Sequence, residues 1–180
     1  MEVSVLRIGH RLVRDDRVTT HAALVARAFG AKKIYMTEVD ESIKETVAKV
    51  NSRWGNSDFN VEVIQDWKNL IHDWKVNYGK LLHMTMYGIN VDDIIEKLRG
   101  EKKVLVVIGA GKVPREIFKL AEYNIAIGNQ PHSEIAALSI ILDRLFEGKQ
   151  LKKNFRGGKL KIIPDSRGKH VKKTDVTNMN

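Results

Sequence analysis

The feature that most constrains the fold is a run of five consecutive apolar residues at positions 104–108, Val-Leu-Val-Val-Ile. A run without alternation is typical of a strand that is covered on both faces, as in a parallel sheet between two layers of helices. Five other strand-like segments, at 2–8, 33–36, 59–64, 81–87 and 123–127, are separated by helix-like segments. This alternation predicts an α/β domain with a mostly parallel sheet of about six strands and helices on both faces.

The predicted helices come from apolar residues that recur three or four positions apart. They span residues 17–29, 40–50, 67–74, 91–98, 114–120 and 131–146. The last of them carries more apolar surface than one face of a sheet can cover, with Leu138, Ile141, Leu142 and Phe146 among its residues. We therefore expect this helix to contribute to both the core and a subunit interface.

The positive charge of the chain is concentrated at its C-terminal end. The 180 residues include 31 Lys or Arg and 22 Asp or Glu, a net charge of +9. Residues 149–180 account for +8 of this charge, and residues 1–148 for +1. We predict a domain at 1–148 and a basic appendage at 149–180, which either contacts a nucleic-acid backbone or is a solvated tail. Two strand-like runs around Pro164 and Gly168 favour a small β-hairpin in this appendage.

The composition excludes several classes of protein. The chain has no cysteine, which rules out disulfides, thiolate metal sites, iron–sulfur clusters and cysteine nucleophiles. The histidines and carboxylates show no metal-ligand spacing, so we predict no metal site. The first residues lack a basic segment and a long apolar segment, so we expect no secretory signal, and no apolar run approaches the ~18–20 residues of a membrane span. We expect a cytoplasmic protein that does not associate with a membrane.

The loop after the apolar run is the first candidate binding segment, because parallel sheets bind ligands beyond the carboxyl ends of their strands. Gly109 and Gly111 would let the backbone approach a ligand, and a following helix N-terminus would favour an anion. The loop is not a P-loop, because Lys112 is followed by Val113, and it is not a dinucleotide fingerprint, because Pro114 replaces the third glycine. An ordinary tight turn would explain the same glycines.

The loop at 128–134 is denser in polar groups and follows the last predicted strand. Its amides, imidazole and hydroxyl, together with backbone N–H groups, could all be directed at one ligand. Ordinary capping of the long helix that follows is the alternative.

A third polar segment lies at the first strand-to-helix junction. Within residues 11–21 are three arginines, two aspartates, two threonines and one histidine, among them Arg14, Arg17 and His21. Arginine can bind phosphate with two parallel hydrogen bonds and can stabilise an alkoxide. The alternative is a solvated ion-pair network with a capping residue for the helix.

Together, the segments 10–21, 104–114 and 123–142 resemble the three motifs of the SPOUT methyltransferases. The resemblance is closest to the archaeal tRNA cytidine-56 2′-O-methyltransferases, which combine an Arg/Asp/Thr-Thr-His first motif with two further strings. These are His-x-Thr-Met-Tyr-Gly, at 83–88 here, and Ile-Gly-Asn-Gln-Pro-His-Ser, at 127–133 here. The resemblance implies a C-terminal trefoil knot, S-adenosylmethionine as cofactor, a homodimer, and methylation of cytidine-56 in the T loop of tRNA.

The sequence departs from the wider 2′-O-methylating SPOUT pattern at four positions. Leu24 stands where a catalytic Arg is usual, Gly111 where Glu is usual, Pro114 where Gly is usual, and Ser133 near the usual Asn. We therefore assign Arg17 to polarise the 2′-hydroxyl or an adjacent phosphate, with His21 as the alternative general base and Arg14 on phosphate.

The resemblance also assigns the cofactor site and leaves two rival functions. The residues expected at the cofactor are Met84, Gly109, Ala110, Gly111, Lys112, Val113, Gly128, Asn129, Gln130, Pro131, His132, Ser133 and Glu134. One rival is a non-catalytic RNA-binding protein on the same fold. The other is a nucleotide-dependent enzyme acting on a small molecule, against which the basic appendage argues.

Overall fold

The structure, a computed structural model, describes residues 1–9 and 16–174, and within them strands and helices alternate. The elements are β1 (Glu2–Ile8), α1 (Asp16–Ala28), β2 (Lys33–Met36), α2 (Ser42–Trp54), β3 (Asn60–Val63), α3 (Trp67–Asn77), β4 (Lys80–Asn90), α4 (Val91–Arg99), β5 (Lys103–Gly109), α5 (Glu116–Leu120), β6 (Tyr123–Ala126) and α6 (Glu134–Phe146). A short 3-10 helix (Lys149–Lys152) follows, and then a hairpin of β7 (Leu160–Ile163) and β8 (His170–Lys173).

The main sheet has six strands in the order β3-β2-β1-β5-β4-β6, and every neighbouring pair is parallel. Strand β5 lies between β1 and β4, and its residues 104–108 are all buried. The continuous apolar run is therefore a central strand covered on both faces, as the sequence predicts. Because all the strands are parallel, their carboxyl ends meet at one edge of the sheet.

Helices cover both faces of the sheet, which confirms the predicted layers. Apolar residues of α1, α2, α4 and α6 pack in one cluster, against residues such as Val106 and Ile125. Of the described helices, α3 and α5 cover the other face, where Trp74 and Ile117 pack against Leu105. Leu138, Ile141 and Leu142 of α6 are all buried in the larger cluster.

Several element boundaries differ from the sequence-based prediction. Helix α6 begins at Glu134 rather than at position 131, because the Ser133 side chain caps the helix by accepting from two backbone N–H groups. Helix α5 begins at Glu116, so Pro114 lies before the helix and not in its first turn. Helix α2 continues to Trp54, and β4 extends to Asn90 after an irregular stretch.

The basic appendage is attached to the end of α2 by close backbone contacts. The Lys159 N–H donates to the Ser52 carbonyl at 3.1 Å, and the Asn56 N–H donates to the Arg156 carbonyl at 3.1 Å. A Cβ atom at Gly158 would lie 2.4 Å from the nitrogen of Gly55, so no side chain fits at this crossing. The root of the appendage is therefore packed against the body and not a freely solvated tail.

A buried arginine strengthens this attachment from inside the body. Arg27 of α1 donates from Nε to Oδ1 of Asn51 at 2.7 Å, and from its guanidinium to the Gly55 carbonyl at 2.5 Å. Its guanidinium also lies 5.0 Å from the ring centroid of Phe155, in the appendage. The side chain thus joins α1, the end of α2 and the appendage, and burial lowers the pKa of Arg27.

Candidate active site

A four-residue bulge interrupts β4 at the carboxyl edge of the sheet. Met84 and Ile89 both pair with Ile125 of β6, so residues 85–88, here named the β4 bulge, leave the ladder. Gly88 lies directly on β6, since a Cβ there would be 2.4 Å from the Asn124 carbonyl oxygen. The bulge is therefore held at a fixed position, and it carries a tyrosine, Tyr87, whose surface is 76% exposed.

Asn129 joins the β4 bulge to the loop at 127–133, here named the β6–α6 loop. Its side-chain amide donates to the Met86 carbonyl at 2.7 Å and to the Gly88 carbonyl at 3.2 Å. The β4 bulge, which directly follows Met84, is thereby joined to the loop assigned to the cofactor. Met84 itself is buried in the core beneath them, and its contact with a cofactor stays a prediction.

Two other side chains of the β6–α6 loop determine its shape. The ring nitrogens of His132 lie 2.8 Å from the Ile127 carbonyl and 3.0 Å from the Ser133 carbonyl. The Ser133 hydroxyl accepts from the N–H groups of residues 135 and 136, so the predicted alternative of helix capping is correct for this residue. Gln130 and Pro131 are exposed at the outer side of the loop.

The loop after β5 lies at the centre of the same edge, because β5 is flanked by β1 and β4. A Cβ at Gly109 would be 2.3 Å from the Val113 side chain, so the loop folds back over a position that only glycine can occupy. The Ala110 N–H donates to the Ile8 carbonyl at 3.0 Å and so continues the pairing with β1. Gly111 and Lys112 are exposed.

The predicted catalytic residues lie on α1, as far as the structure describes them. Arg17 and His21 are both exposed, and because they are four residues apart they share one face of the helix. Thr19, between them, is buried. Arg14 lies in the segment 10–15, outside the described residues.

Sequence reasoning missed a buried arginine at the carboxyl end of β1. Arg7 is 0% exposed. Its Nε donates to Oε1 of Glu134 at 2.7 Å, and its Nη1 donates to the Thr19 hydroxyl at 3.1 Å and the Gly9 carbonyl at 3.2 Å. The available signal was a lone cation within an apolar strand, because arginine is almost never fully buried unless it is paired.

His83 is the second buried ionisable group near the site. Its Nδ1 is 2.8 Å from the Asn124 side-chain oxygen, and its ring packs edge-on against Phe118 with centroids 4.6 Å apart. Burial lowers the pKa of His83, which keeps the imidazole neutral in neutral solution. These contacts give His83 a structural role between β4 and β6.

A cationic groove lies between α2 and the hairpin, away from the loops described above. It encloses about 940 Å³ and is lined by four cations, Lys49 and Arg53 from α2 and Lys159 and Lys173 from the appendage, with Glu45 at one side. Ala48 and Leu160 also line it. Such a surface attracts phosphate through Coulomb interactions.

Two kinds of site are not found within the described residues. No group of three or more His, Asp or Glu side chains among residues 1–9 and 16–174 could hold a metal ion. None of the helices in these ranges is both long enough and apolar enough to span a bilayer.

Comparisons of sequence place this architecture among RNA-modifying enzymes. Residues 54–172 match the family model described as "tRNA ribose 2′-O-methyltransferase, aTrm56". The chain is 54% identical to a tRNA (cytidine(56)-2′-O)-methyltransferase of Cenarchaeum symbiosum, over 95% of this chain and 97% of that protein. It is 52% identical to the protein of that name from Thermococcus kodakarensis, over 94% of this chain and 96% of that protein.

Solved structures share the fold at much lower identity. The A. aeolicus TrmH/SpoU tRNA modifying enzyme matches with a TM-score of 0.60 at 16% identity, over 86% of this chain and 80% of that one. An AdoMet-bound rRNA methyltransferase from Sinorhizobium meliloti matches with a TM-score of 0.62 at 17% identity, over 82% of this chain and 56% of that one. The SPOUT fold, with the knot that it implies, is thereby confirmed.

Proposed function

The chain belongs to the aTrm56 family of tRNA ribose 2′-O-methyltransferases, and from this premise we propose that it transfers a methyl group from S-adenosylmethionine to the 2′-hydroxyl of cytidine-56 in tRNA. The observation that carries the assignment is the identity of 54% over 95% of the chain with a curated enzyme of this activity. That match is not confined to the sheet, since it spans nearly the whole length of both proteins.

The loops at the carboxyl edge suit S-adenosylmethionine on chemical grounds. The cofactor has a carboxylate, ribose hydroxyls and an adenine, which need a cation and groups that both donate and accept hydrogen bonds. The exposed ammonium of Lys112 and the exposed amide of Gln130 supply both kinds of group. When bound, the cofactor supplies an electrophilic methyl group on a positive sulfonium. Gly109–Val113 and Gly128–Ser133, with Met84 and the β4 bulge, would hold it, whereas the Glu134 carboxylate accepts from Arg7.

The residues of α1 act on the other reactant. A ribose 2′-hydroxyl is a poor nucleophile, so the protein has to align it and to assist the loss of its proton. Arg17 would donate hydrogen bonds to this oxygen or to the adjacent phosphate and so favour the developing negative charge. His21, on the same exposed face, is the alternative acceptor for the proton, and Arg14 would bind phosphate.

The cationic groove and the hairpin would bind the body of the tRNA. The groove combines two cations of α2 with two of the appendage, so the appendage and the methyltransferase domain form one basic surface. Lys161 and Lys172, which face each other across the hairpin, add two exposed cations next to it. Contacts of this kind neutralise phosphates and release counterions.

The chain would work as a homodimer in the cytoplasm. Its exposed large apolar residues include Tyr87 and Ile89 on β4 and Ile140 on α6, and a second copy could cover these side chains. Sedimentation equilibrium at micromolar concentration should give twice the mass of the chain, and a monomer mass would contradict this proposal.

The catalytic assignment is tested by single-turnover methylation with saturating tRNA and cofactor. Arg17→Ala should lower the rate roughly a hundredfold or more, since a donor to a developing oxyanion contributes ~2.7–4 kcal/mol. Arg17→Lys should recover little of the rate, because a point charge lacks the planar fork of arginine. Affinity for S-adenosylmethionine should stay near wild type in both variants.

His21→Ala decides between the two candidate groups, with His72→Ala on the exposed side of α3 as its matched control. If His21→Ala is inactive while Arg17→Ala keeps a near-normal rate, histidine is the proton acceptor and the role of Arg17 is wrong. Loss of activity in the control would show that the assay reports general damage.

A further inference from the structure

We propose that Arg7 and Glu134 form a positioning pair, which holds helix α1 in register with the β6–α6 loop so that the 2′-hydroxyl and the cofactor are aligned. The proposal rests on the methyltransferase function above and deepens it. Neither side chain needs to touch a reactant, because both would act through the segments that they join.

The pair connects the two halves of the candidate site. Glu134 is the first residue of α6 and directly follows Ser133, the last residue of the β6–α6 loop. On the other side, Arg7 donates to the hydroxyl of Thr19, which lies two residues after Arg17 in the first turns of α1. One guanidinium therefore spans from the helix assigned to substrate to the loop assigned to cofactor.

The arginine fork is suited to this task. The N–H groups of the planar guanidinium point in fixed directions. The bond from Nε to Glu134 and the bonds from Nη1 to Thr19 and Gly9 therefore fix the relative positions of α6, α1 and the end of β1. The Gly9 carbonyl lies just after the end of β1, so Arg7 also fixes the backbone at this end of the strand. The Glu134 side chain is only 11% exposed and thus directs its carboxylate into the protein.

Stability alone does not account for an ion pair whose arginine is fully buried. Desolvation of two charges opposes burial, and replacing a buried ion pair by apolar side chains of similar volume is often neutral or stabilising. The neighbouring positions of β1 are apolar and fully buried, as at Val5 and Leu6. Fixed geometry is what an ion pair adds here, and a misplacement of about 1 Å between reacting groups can lower a rate by ~100-fold.

A double substitution separates positioning from stability. Arg7→Met alone removes the guanidinium that donates to Glu134 and should lower the midpoint of urea unfolding. Arg7→Met with Glu134→Met removes both charges and should recover most of that loss. The proposal expects the double variant to remain at least tenfold slower than wild type in single-turnover methylation, with dissociation constants for S-adenosylmethionine and tRNA within about threefold of wild type.

Two conservative variants make the test independent of how the double variant folds. Arg7→Lys keeps the charge but not the fork, and Glu134→Gln keeps the shape but weakens the pair. Both should lower the rate constant at saturation more than the affinity for either substrate. A large loss of S-adenosylmethionine affinity in Glu134→Gln would instead make Glu134 a direct cofactor ligand and overturn the proposal.

Recovery of the wild-type rate together with stability in the double variant would also overturn it, because the pair would then be structural only. Wild-type protein that transfers no methyl group in the same assay would refute the proposed function and this inference together. Active wild type with an active double variant refutes the positioning role alone.

Discussion

Gly88→Ala is the substitution that most sharply tests how the β4 bulge builds the cofactor site. An added Cβ would lie 2.4 Å from the Asn124 carbonyl oxygen and 2.5 Å from the Ile125 nitrogen. Both neighbours are backbone atoms of β6, so they cannot swing away as a flexible side chain would. The bulge must therefore lift off β6.

The size of the effect follows from the hydrogen bonds that such a shift breaks. Asn129 donates to the carbonyls of Met86 and Gly88, on either side of Tyr87. Each neutral hydrogen bond has a net worth of about 0.5–1.5 kcal/mol, so losing both costs about 1–3 kcal/mol. If these two hydrogen bonds hold the cofactor site in shape, the dissociation constant of S-adenosylmethionine should rise about 5- to 150-fold, because 1.4 kcal/mol corresponds to a factor of ten.

Isothermal titration calorimetry on the folded variant measures this change. Gly100→Ala is the matched control, because Gly100 is exposed, has a helical φ of −71° and would place its Cβ no closer than 3.4 Å to another atom. Asn129→Ala should give a similar loss of affinity, and the double variant should lose little more, since both changes remove the same hydrogen bonds. Unchanged affinity in a folded Gly88→Ala protein would refute the assignment of the bulge to the cofactor site.

Three further predictions concern the appendage and the buried histidine. Replacing Lys161 and Lys172 by Ala should make the slope of log tRNA affinity against log salt concentration less steep, by ~0.7–0.9 for each phosphate that the protein no longer neutralises. An unchanged slope would show that the hairpin does not contact the tRNA backbone. Gly158→Ala should detach the hairpin, because the new Cβ would be 2.4 Å from the Gly55 nitrogen, and amide exchange in the hairpin should then speed up while the central sheet stays protected. Burial lowers the pKa of His83 below its ordinary 6.5, so the unfolded chain binds the proton more tightly than the folded one. The free energy of unfolding should therefore fall as the pH drops below about 6.5. In urea titrations His83→Gln should lose part of this pH dependence, and an identical dependence would contradict the burial argument.

The sequence was informative wherever one residue type determined the local structure. The apolar run of β5 predicted a doubly covered central strand, because five apolar residues rich in valine and without alternation are typical of such a strand. The polar stretch at 128–134 was correctly placed after the last strand of the sheet. Its serine could not be assigned to helix capping rather than to a ligand, because the same hydroxyl serves either purpose.

The sequence was uninformative wherever the structure depends on distant partners. The second pairing of β4 with β6 arises because Ile89 returns to the same partner as Met84, and no local pattern encodes such a register shift. The ion pair of Arg7 with Glu134 likewise joins residues 127 positions apart, and no local pattern indicates it. The knot depends on the path of the whole chain, so that expectation came from resemblance and not from periodicity.

Site-resolved methylation of an unmodified tRNA transcript tests the central claim most directly. The purified chain, S-adenosylmethionine and the transcript should give one 2′-O-methyl group per tRNA, located at cytidine-56 by nuclease digestion and mass spectrometry. A matched transcript with 2′-deoxycytidine at position 56 lacks the acceptor hydroxyl and should receive none. Absence of transfer to the normal transcript, transfer to another nucleotide, or equal methylation of the deoxy transcript would contradict the assignment.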